Sequence, residues 1–382
     1  MGGGINMKRR VLLLLKRSML DGYVSRERMQ MCEPPFASLM VSHPKRFQTS
    51  PLKSKRRLVL KSYFLDPTHI TSSRSKNFEL AVGNLSDRHR VHQHTVEVCK
   101  DVLKRKSNVV WDSLMRDELR GCPIRDVDLV VTIGGDGTLL QASHCLDSSI
   151  PVVGVNSDPT RATIEASVAD TQRHFLLVKV EENLEEFDAT RSTGYLCAAN
   201  ADNFEQVLDE ILDGSRKPLV LNRILTRIDG MNFTYPSLND VLLSHPNPAA
   251  VSRCSFSIRK AGNDEPTTSV VHSRSSGLRI CSAAGSTAAM ASAGGEIMDF
   301  MSPDLQYMIR EPIRPHPLFR DHLRGWIRPD EVLNVQWGCR QGVLHFDGSH
   351  VFQQVKFGSV IEFSSNAPPL KIFTNFSKNV QM

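Results

Sequence analysis

A glycine-rich turn between an apolar run and a helical pattern constrains this chain more than any other feature of its sequence. Residues 134–138 are Gly-Gly-Asp-Gly-Thr. Before them, residues 128–133 form an apolar, β-branched run that predicts a buried strand. After them, residues 139–144 predict the first turns of a helix. The glycines therefore lie where a strand leads into a helix.

This turn has the features of an anion-binding site. Free backbone N–H groups and the positive end of a helix dipole favour phosphate, and glycines let the backbone approach a bulky ligand. The turn is not a Walker loop or a dinucleotide fingerprint, since neither spacing is present. Asp136 is a carboxylate among anion-binding groups, which is unfavourable unless it handles a proton or a hydroxyl. The combination indicates phosphoryl transfer to an alcohol; a turn without a catalytic role is the alternative.

The first half of the chain alternates strand and helix patterns. Residues 8–15 and 150–155 predict strands, and residues 92–103 and 204–212 predict helices. Strand, helix and strand in this order imply parallel pairing and an α/β domain. Residues 17–83 are rich in Pro, Ser and basic side chains and show no sustained periodicity, so we expect no regular structure there.

The second half has a different pattern, with short strand-like runs separated by Gly, Pro, Asn and Asp. It therefore predicts a mostly β domain, with one helical stretch near residues 286–293. The expected strands are residues 219–228, 238–243, 255–259, 269–271, 278–281, 333–337, 343–346, 360–363 and 371–374.

Composition excludes several classes of protein. With 382 residues, 40% of them hydrophobic, the chain can form two globular domains, and its longest apolar run is too short to span a bilayer. Its eight cysteines include no C-x-x-C pair, which argues against a zinc or redox motif. His89, His92 and His94 predict a solvated helix face rather than a metal site. The net charge of +6 suits a polyanionic substrate but is weak evidence for one.

A second glycine-containing stretch lies at residues 276–295. It predicts a strand, a run of small residues and the start of a helix. Small residues permit close approach of a flat ligand, and the hydroxyls of Ser and Thr can donate hydrogen bonds to phosphate or ribose. A tightly packed strand–helix corner is the alternative interpretation.

Together the motifs resemble the NAD kinase family, and within it the plant-type NADH kinases in particular. The chain has, in order, the Gly-Gly-Asp-Gly turn, the pair Asn239-Asp240, and a Gly-Ser-Thr-Ala run that leads to Ala-Gly-Gly at residues 293–295. Lipid kinases share only the first of these. The matching segments are residues 124–160, 187–206, 238–256, 274–295 and 347–348.

The resemblance implies an α/β N-terminal domain with a parallel sheet and a β-sandwich-like C-terminal domain, with NAD(H) bound between them. We expect residues 1–190 to form the first domain and residues 191–360 the second. Residues 361–382 are expected to form a tail that packs back on the first domain. Two stretches without counterparts in the family, residues 17–83 and 162–180, are predicted to be disordered insertions.

Roles for individual residues follow from the resemblance alone. Asp136 is similar to the family's general base, which takes the proton from the 2′-hydroxyl of the adenosine ribose. Gly135 and Gly137 are expected to contact phosphate through their backbone. The remaining residues expected to bind the nucleotide are Asn239, Asp240, Arg274, Ser276, Thr287, Ala288 and Ser292.

The resemblance also implies the ligands. ATP is the expected phosphoryl donor, with Mg²⁺ or another divalent cation, and NADH or NAD is the acceptor. It implies no metal-ligating residue, and small nucleotides are the expected partners of a homodimer that binds neither nucleic acid nor membrane. The cytosol is the expected compartment. A peroxisomal location stays open by resemblance, although residues 378–382 are not an S-K-L-type address.

This chain departs from the common family pattern at several positions. Ser276 replaces the usual Asp, and Ala289 replaces the usual Tyr. Ala-Ala at 283–284 replaces Pro-Thr, and residues 156–160 replace a longer glycine-containing motif. The plant-type NADH kinases share most of these changes. Two alternatives stay open: a lipid or phosphofructokinase-like kinase with the same turn, and a non-catalytic nucleotide-binding protein.

Overall fold

The structure is a computed structural model, in which the chain forms two compact units. One unit comprises Met1–Lys16 and His92–Met382, and the other comprises Arg17–Val91. In the second unit the description covers only helical backbone from Pro67 and the side chains from residue 86. The residues described are 8–16, 67–119, 121–158, 194–313 and 322–375.

A six-stranded sheet forms the centre of the α/β domain. Its strands, in spatial order, are β2 (Val109–Met115), β1 (Arg9–Leu15), β3 (Leu129–Gly134), β4 (Val152–Asn156), β18 (Leu370–Phe373) and β5 (Leu219–Leu221). The first five are parallel and β5 is antiparallel to β18. Every residue of β3 and β4 is buried, as expected for strands covered on both faces.

Helices cover both faces of this sheet. They are α1 (Pro67–Arg105), α2 (Asp136–Ser143) and α3 (Phe204–Leu212). Apolar residues of α1 and α3 pack with Val131 and Ile133 of β3 in one cluster. Those of α2 pack with Val130, whose side chain points to the other face, in another cluster. Successive side chains of β3 point to opposite faces of the sheet, and the core of this domain therefore has two layers, one on each face.

The C-terminal domain is a sandwich of two antiparallel sheets over one apolar core. In spatial order the first sheet contains β10 (Val271–Ser275), β9 (Ser252–Lys260), β14 (Glu331–Trp337), β17 (Val360–Ser364), β6 (Leu225–Ile228) and β7 (Met231–Asn232). The second contains β13 (Arg324–Ile327), β12 (Leu305–Arg310), β11 (Gly277–Cys281), β8 (Asp240–Ser244), β15 (Gln341–Phe346) and β16 (Val351–Lys356). A short helix, α4 (Ala289–Ser292), follows β11.

The predicted fold class is confirmed: a parallel α/β domain is joined to a β-sandwich. The sequence patterns missed several strands, mostly at the outer positions of the sheets. An outer strand such as β2 or β16 exposes much of its surface and lacks a continuous apolar run. The missed strands are β2, β7, β12, β13 and β16.

The elements divide between the domains differently from the expected boundaries at residues 190 and 360. Both α3 and β5, which lie beyond residue 190, belong to the α/β domain. The sandwich starts at β6 and extends through β17 to Ser364. The expected C-terminal tail contains β18, which lies inside the first sheet between β4 and β5. A strand late in the chain thus completes the first domain, which local patterns do not predict.

Two expectations about the N-terminal part need correction. Helix α1 begins at Pro67, so residues 67–83 are helical rather than irregular; their polar composition gave no apolar periodicity to detect. His92, expected on a solvated face, is buried and hydrogen-bonds through its ring to Ser157 and to the Lys16 carbonyl. The rest of 17–83, and all of 162–180, lie outside the described residues.

Candidate active site

The glycine turn joins β3 to α2 as the sequence predicts. Gly134 ends β3, Gly135 is the N-cap and Asp136 is the first helical residue. A Cβ atom at Gly134 would lie 2.2 Å from the Thr138 hydroxyl oxygen, so the turn excludes a side chain there. A Cβ at Gly137 would meet no atom within 4 Å, and this residue is exposed. The turn is therefore tightly packed behind and open in front, where a ligand can approach.

Backbone N–H groups hold the Asp136 carboxylate. Its oxygens accept hydrogen bonds from the N–H groups of Tyr195, at 2.9 Å, and Leu196, at 2.8 Å. Burial raises the pKa of Asp136 above the ordinary aspartate value, and these N–H donors oppose that shift. A carboxylate with a fixed direction and a raised pKa suits a general base better than an exposed one does.

Tyr195 connects this carboxylate to the second glycine-containing stretch. Its backbone binds Asp136, and its side chain hydrogen-bonds to Thr287. The residue is 36% exposed, in spite of its size. Asp136 and Thr287, which are 151 positions apart in the sequence, thus contact the same residue, one through its backbone and the other through its side chain.

The Asn239-Asp240 pair lies against the small residues that follow β11. The Asn239 carbonyl accepts a hydrogen bond from the Ser282 N–H at 3.0 Å. A Cβ at Gly285 would lie 2.0 Å from this carbonyl oxygen, which excludes any larger residue. The side-chain oxygen of Asn239 is buried and has no hydrogen-bond partner. Because buried polar atoms are normally paired, this oxygen is available to a ligand.

Asp240 is a largely but not fully buried carboxylate that forms an ion pair with Arg279 on the neighbouring strand. Burial raises its pKa to about 6; the Arg279 charge opposes this shift and the Asp347 charge adds to it. Sequence reasoning assigned no role to Arg279, Tyr195 or Asp347. All three lie in segments that matched the family, which is the signal that could have identified them.

The structure does not bring all predicted residues together. Asp240 pairs with Cys281 at one end of β11, whereas Arg274 and Ser276 precede Gly277 at its other end. Four residue steps along a strand correspond to about 13 Å. Arg274 is exposed on β10, opposite Arg253. The expected residues therefore form two groups. One group comprises Gly135 and Gly137, which flank Asp136, Thr287, which is linked to it through Tyr195, and the Asn239-Asp240 pair, which lies against the residues before Thr287.

The last two expected residues flank the start of α4. Ala288 is half-buried and is the N-cap of this helix. The exposed Ser292 hydroxyl donates to the Ala288 carbonyl over 3.4 Å, so it lies on the surface next to Thr287 rather than in the core.

Two cavities in the described part of the chain lie away from this site. The larger cavity, of about 700 Å³, lies between the β6–β7 and β15–β16 hairpins, and a smaller one of about 410 Å³ lies beside β1 and β2. Neither is lined by Asp136, Asn239 or Asp240. Within the described ranges no group of three or more His, Cys, Asp or Glu side chains could hold a metal ion. The candidate site is therefore defined by its hydrogen bonds and by the exposed Gly137 rather than by either of these cavities.

None of the helices described is long and apolar enough to cross a membrane.

Comparison with known proteins gives the same assignment as the motifs. Residues 50–161 match the model of the ATP-NAD kinase N-terminal domain. A probable NADH kinase of Oryza sativa subsp. japonica is 50% identical over 288 residues, which cover 75% of this chain and 83% of the rice protein. An NADH kinase of Arabidopsis thaliana is 47% identical over 299 residues, covering 76% of this chain and 85% of that protein.

Solved structures show the same fold at much lower identity. An NAD kinase from Archaeoglobus fulgidus, in complex with ATP, has a TM-score of 0.53 and 18% identity, covering 75% of this chain and 92% of that one. A yeast NADH kinase complexed with NADH has a TM-score of 0.51 and 17% identity, covering 70% of this chain and 67% of that one. With two plant relatives near 50% identity over most of their length, the chain belongs to the NAD kinase family.

Proposed function

We propose that this protein transfers the γ-phosphoryl group of ATP to the 2′-hydroxyl of the adenosine ribose of NADH, and of NAD, forming NADPH and NADP. The observation that carries this proposal is the Asp136 carboxylate, which two backbone N–H groups hold at the start of α2 beside an open glycine. The names of the rice and Arabidopsis relatives support NADH as an acceptor.

In this mechanism Asp136 accepts the proton of the ribose 2′-hydroxyl as that oxygen attacks the γ-phosphorus. The new bond joins the 2′-oxygen to phosphorus, the bond from phosphorus to the β–γ bridging oxygen breaks, and ADP leaves with the electron pair. Gly135 and Gly137 present backbone at the positive end of α2, where negative phosphate oxygens are stabilised. Positioning and charge stabilisation supply most of the catalysis in such a transfer.

The sandwich holds the acceptor. The unpaired side-chain oxygen of Asn239 accepts a hydrogen bond from the nucleotide, and Asp240 accepts one from a ribose hydroxyl. Thr287, Ala288 and Ser292, at the start and end of α4, supply further contacts to the nucleotide. Arg274 and Ser276, at the far end of β11, contact the nicotinamide side or its phosphates.

A divalent cation fits this site as part of the donor. The described residues offer no cluster of metal-ligating side chains, and Mg²⁺ in such enzymes takes many of its ligands from substrate phosphates and water. When bound, the cation offsets the charge of the transferring phosphoryl group.

The test is a direct assay. Purified protein is incubated with ATP, Mg²⁺ and either NADH or NAD, and the products NADPH and NADP are measured, with Asp136→Asn as the control. We expect product with the wild type and a loss of at least about 10²-fold with the variant. Nucleotide binding without product would favour a non-catalytic protein. Phosphorylation of a lipid or a sugar phosphate instead would favour the hypothesis of a lipid or phosphofructokinase-like kinase.

Two further parts of the proposal are a homodimer and a cytosolic location. Both come from the family resemblance, and Arg274 on the outer strand β10 could then lie close to a second copy. Light scattering after gel filtration should give twice the chain mass of 42.7 kDa; a monomer would refute the dimer. A fluorescent fusion should fill the cytosol, and a punctate peroxisomal signal would refute that location.

A further inference from the structure

Asp347 is a buried carboxylate whose hydrogen-bonding capacity is used completely. One oxygen accepts the N–H groups of Asn239, at 2.7 Å, and Asp240, at 2.9 Å. The other accepts the N–H of Leu238 at 2.8 Å and contacts the His144 ring nitrogen Nε2 at 2.8 Å. An ionised carboxylate has about four acceptor positions, and all four are filled here.

The Asp347 backbone adds a fifth connection to the same turn. Its φ of 50° lies in the left-handed region, which Asp tolerates better than most residues do. In this conformation its N–H donates to the Asp240 carbonyl at 2.9 Å. The side chain of Asp347 therefore accepts hydrogen bonds from the Asn239-Asp240 turn, and its main chain donates one to it. The turn has little freedom to move independently of this carboxylate.

The partner of Asp347 on the other domain is His144. Since a carboxylate can only accept, Nε2 of His144 carries the proton and donates it. Both side chains are almost completely buried, with 4% and 0% of their surfaces exposed. The bond therefore joins the two domains in a place where water does not compete for either group.

His144 is the C-cap of helix α2, and Asp136 is the first residue of this helix. The eight residues of this helix form a rigid segment about 12 Å long. Arg223, which is fully buried, fixes the same helix end by donating to the carbonyls of Ser143 at 2.7 Å and Leu146 at 3.0 Å. The C-terminal end of α2 is therefore fixed. Because the helix is rigid, the position of its first residue, Asp136, depends on the position of this end.

We propose that His144 and Asp347 are positioning residues for the phosphoryl transfer. They bind the Asn239-Asp240 turn, which is expected to hold the acceptor, to the far end of the helix that begins with the base Asp136. The distance from base to acceptor is then set by one buried hydrogen bond and one helix. This inference rests on the roles proposed above for Asp136 and the Asn239-Asp240 pair.

The test compares two replacements of His144. His144→Leu keeps the volume and removes the donor, whereas His144→Gln keeps an N–H donor on a side chain of similar reach. Misplacement of reacting groups by about 1 Å can reduce turnover about 10²-fold. We expect kcat with NADH to fall about 10- to 100-fold in His144→Leu and to recover to within a few-fold of wild type in His144→Gln. The KM for ATP should change little in both.

A matched control separates positioning from general loss of a histidine. His345 lies in β15 of the sandwich, and its ring packs near Phe352. His345→Leu should leave kcat near the wild-type value. Melting temperatures are measured for all variants, and kcat is expressed per folded enzyme.

Two outcomes would overturn the inference. One is a folded His144→Leu protein whose kcat is within about threefold of wild type; the other is an equal loss of kcat in His144→Gln and His144→Leu. If His144→Leu does not fold, Asp347→Asn serves as the same test, and wild-type kcat in that variant would refute the inference. The proposed function is judged separately, because its failure would appear as no product with the wild type.

Discussion

The two ends of strand β11 differ in burial, in neighbours and in expected role. At the Cys281 end, Asp240 forms a largely buried ion pair with Arg279, and the small residues beyond the strand pack against Asn239. At the Gly277 end, Arg274 is exposed and Ser276 is half-buried on the way from one sheet to the other. Residues that are near each other in the sequence are thus separated by the length of a strand. We therefore expect the Cys281 end to contact the ribose that is phosphorylated, and the Gly277 end to contact a more distant part of the nucleotide.

The largest effect is expected for Asp136→Asn, in the group that includes the residues at the Cys281 end of β11. The amide cannot accept the 2′-hydroxyl proton, so kcat should fall by at least about 10²-fold. Circular dichroism should show an unchanged fold, because Asn keeps one acceptor for the N–H groups of Tyr195 and Leu196. A kcat within a few-fold of wild type would remove Asp136 from the base role.

A smaller effect, on acceptor binding, is expected at the Asn239-Asp240 turn beside the Cys281 end of β11. Asn239→Ala removes the unpaired side-chain oxygen, and Asp240→Asn removes a carboxylate without emptying its site. Each should weaken NADH binding about tenfold, the value of one hydrogen bond, with little change in ATP affinity. Isothermal titration with each nucleotide measures both. Equal losses for ATP and NADH would show that the turn does not belong to the acceptor.

The open glycine allows a test of the donor side. At Gly137 a Cβ meets nothing in the protein, and Ala favours a helix over Gly by about 1 kcal/mol. Gly137→Ala should therefore keep or raise the melting temperature and yet raise the KM for ATP several-fold, because the methyl group occupies space that a phosphate would use. An unchanged KM for ATP would argue that the phosphates lie elsewhere.

At the Gly277 end of β11 a substitution should have a smaller effect, and it should change the selectivity between NADH and NAD. Arg274→Gly removes an exposed cation, and we expect the ratio of kcat/KM for NADH to that for NAD to fall a few-fold while kcat is retained. A charged hydrogen bond contributes about 1.5–3 kcal/mol at most, and exposure to water reduces this. If the ratio stays at its wild-type value, Arg274 has no part in selectivity.

The pH dependence should show the smallest change. Burial raises the pKa of Asp136, and only its ionised form can act as a base, so kcat should fall with decreasing pH above the range of an ordinary aspartate. The same shift favours the folded state at low pH, and this contribution is lost as pH rises through the folded pKa. The melting temperature of Asp136→Asn relative to wild type should thus increase from acid to neutral pH. A difference that is constant with pH would contradict the raised pKa.

Much of the fold follows from local patterns. The apolar runs of β3 and β4, with a glycine turn between strand and helix, predict a parallel layer because period and turn chemistry are local properties. The position of β18 in the middle of the first sheet could not be predicted this way. Its partners β4 and β5 are far away in the sequence, and pairing across such distances depends on the complete core.

The candidate site shows the same division. Asp136, its glycines and the Asn239-Asp240 pair were expected from motifs, since each motif is short and contiguous. Tyr195 and His144 were not expected, because one binds through its backbone and the other through a buried contact with a residue 203 positions away. Both lie in segments that matched the family, but nothing in the residue pattern of those segments indicates these two contacts.

By itself, the sequence determined the fold class, the family and the short motifs, because these depend on residue types and spacings within single segments. Only the tertiary structure decided that the two ends of β11 face different surroundings, and that helix α2 connects the Asp136 carboxylate to the turn that Asp347 holds. The physical reason is that side-chain directions, burial and shared hydrogen bonds arise only when distant segments pack together. These properties decide which residues of the chain lie together in the site.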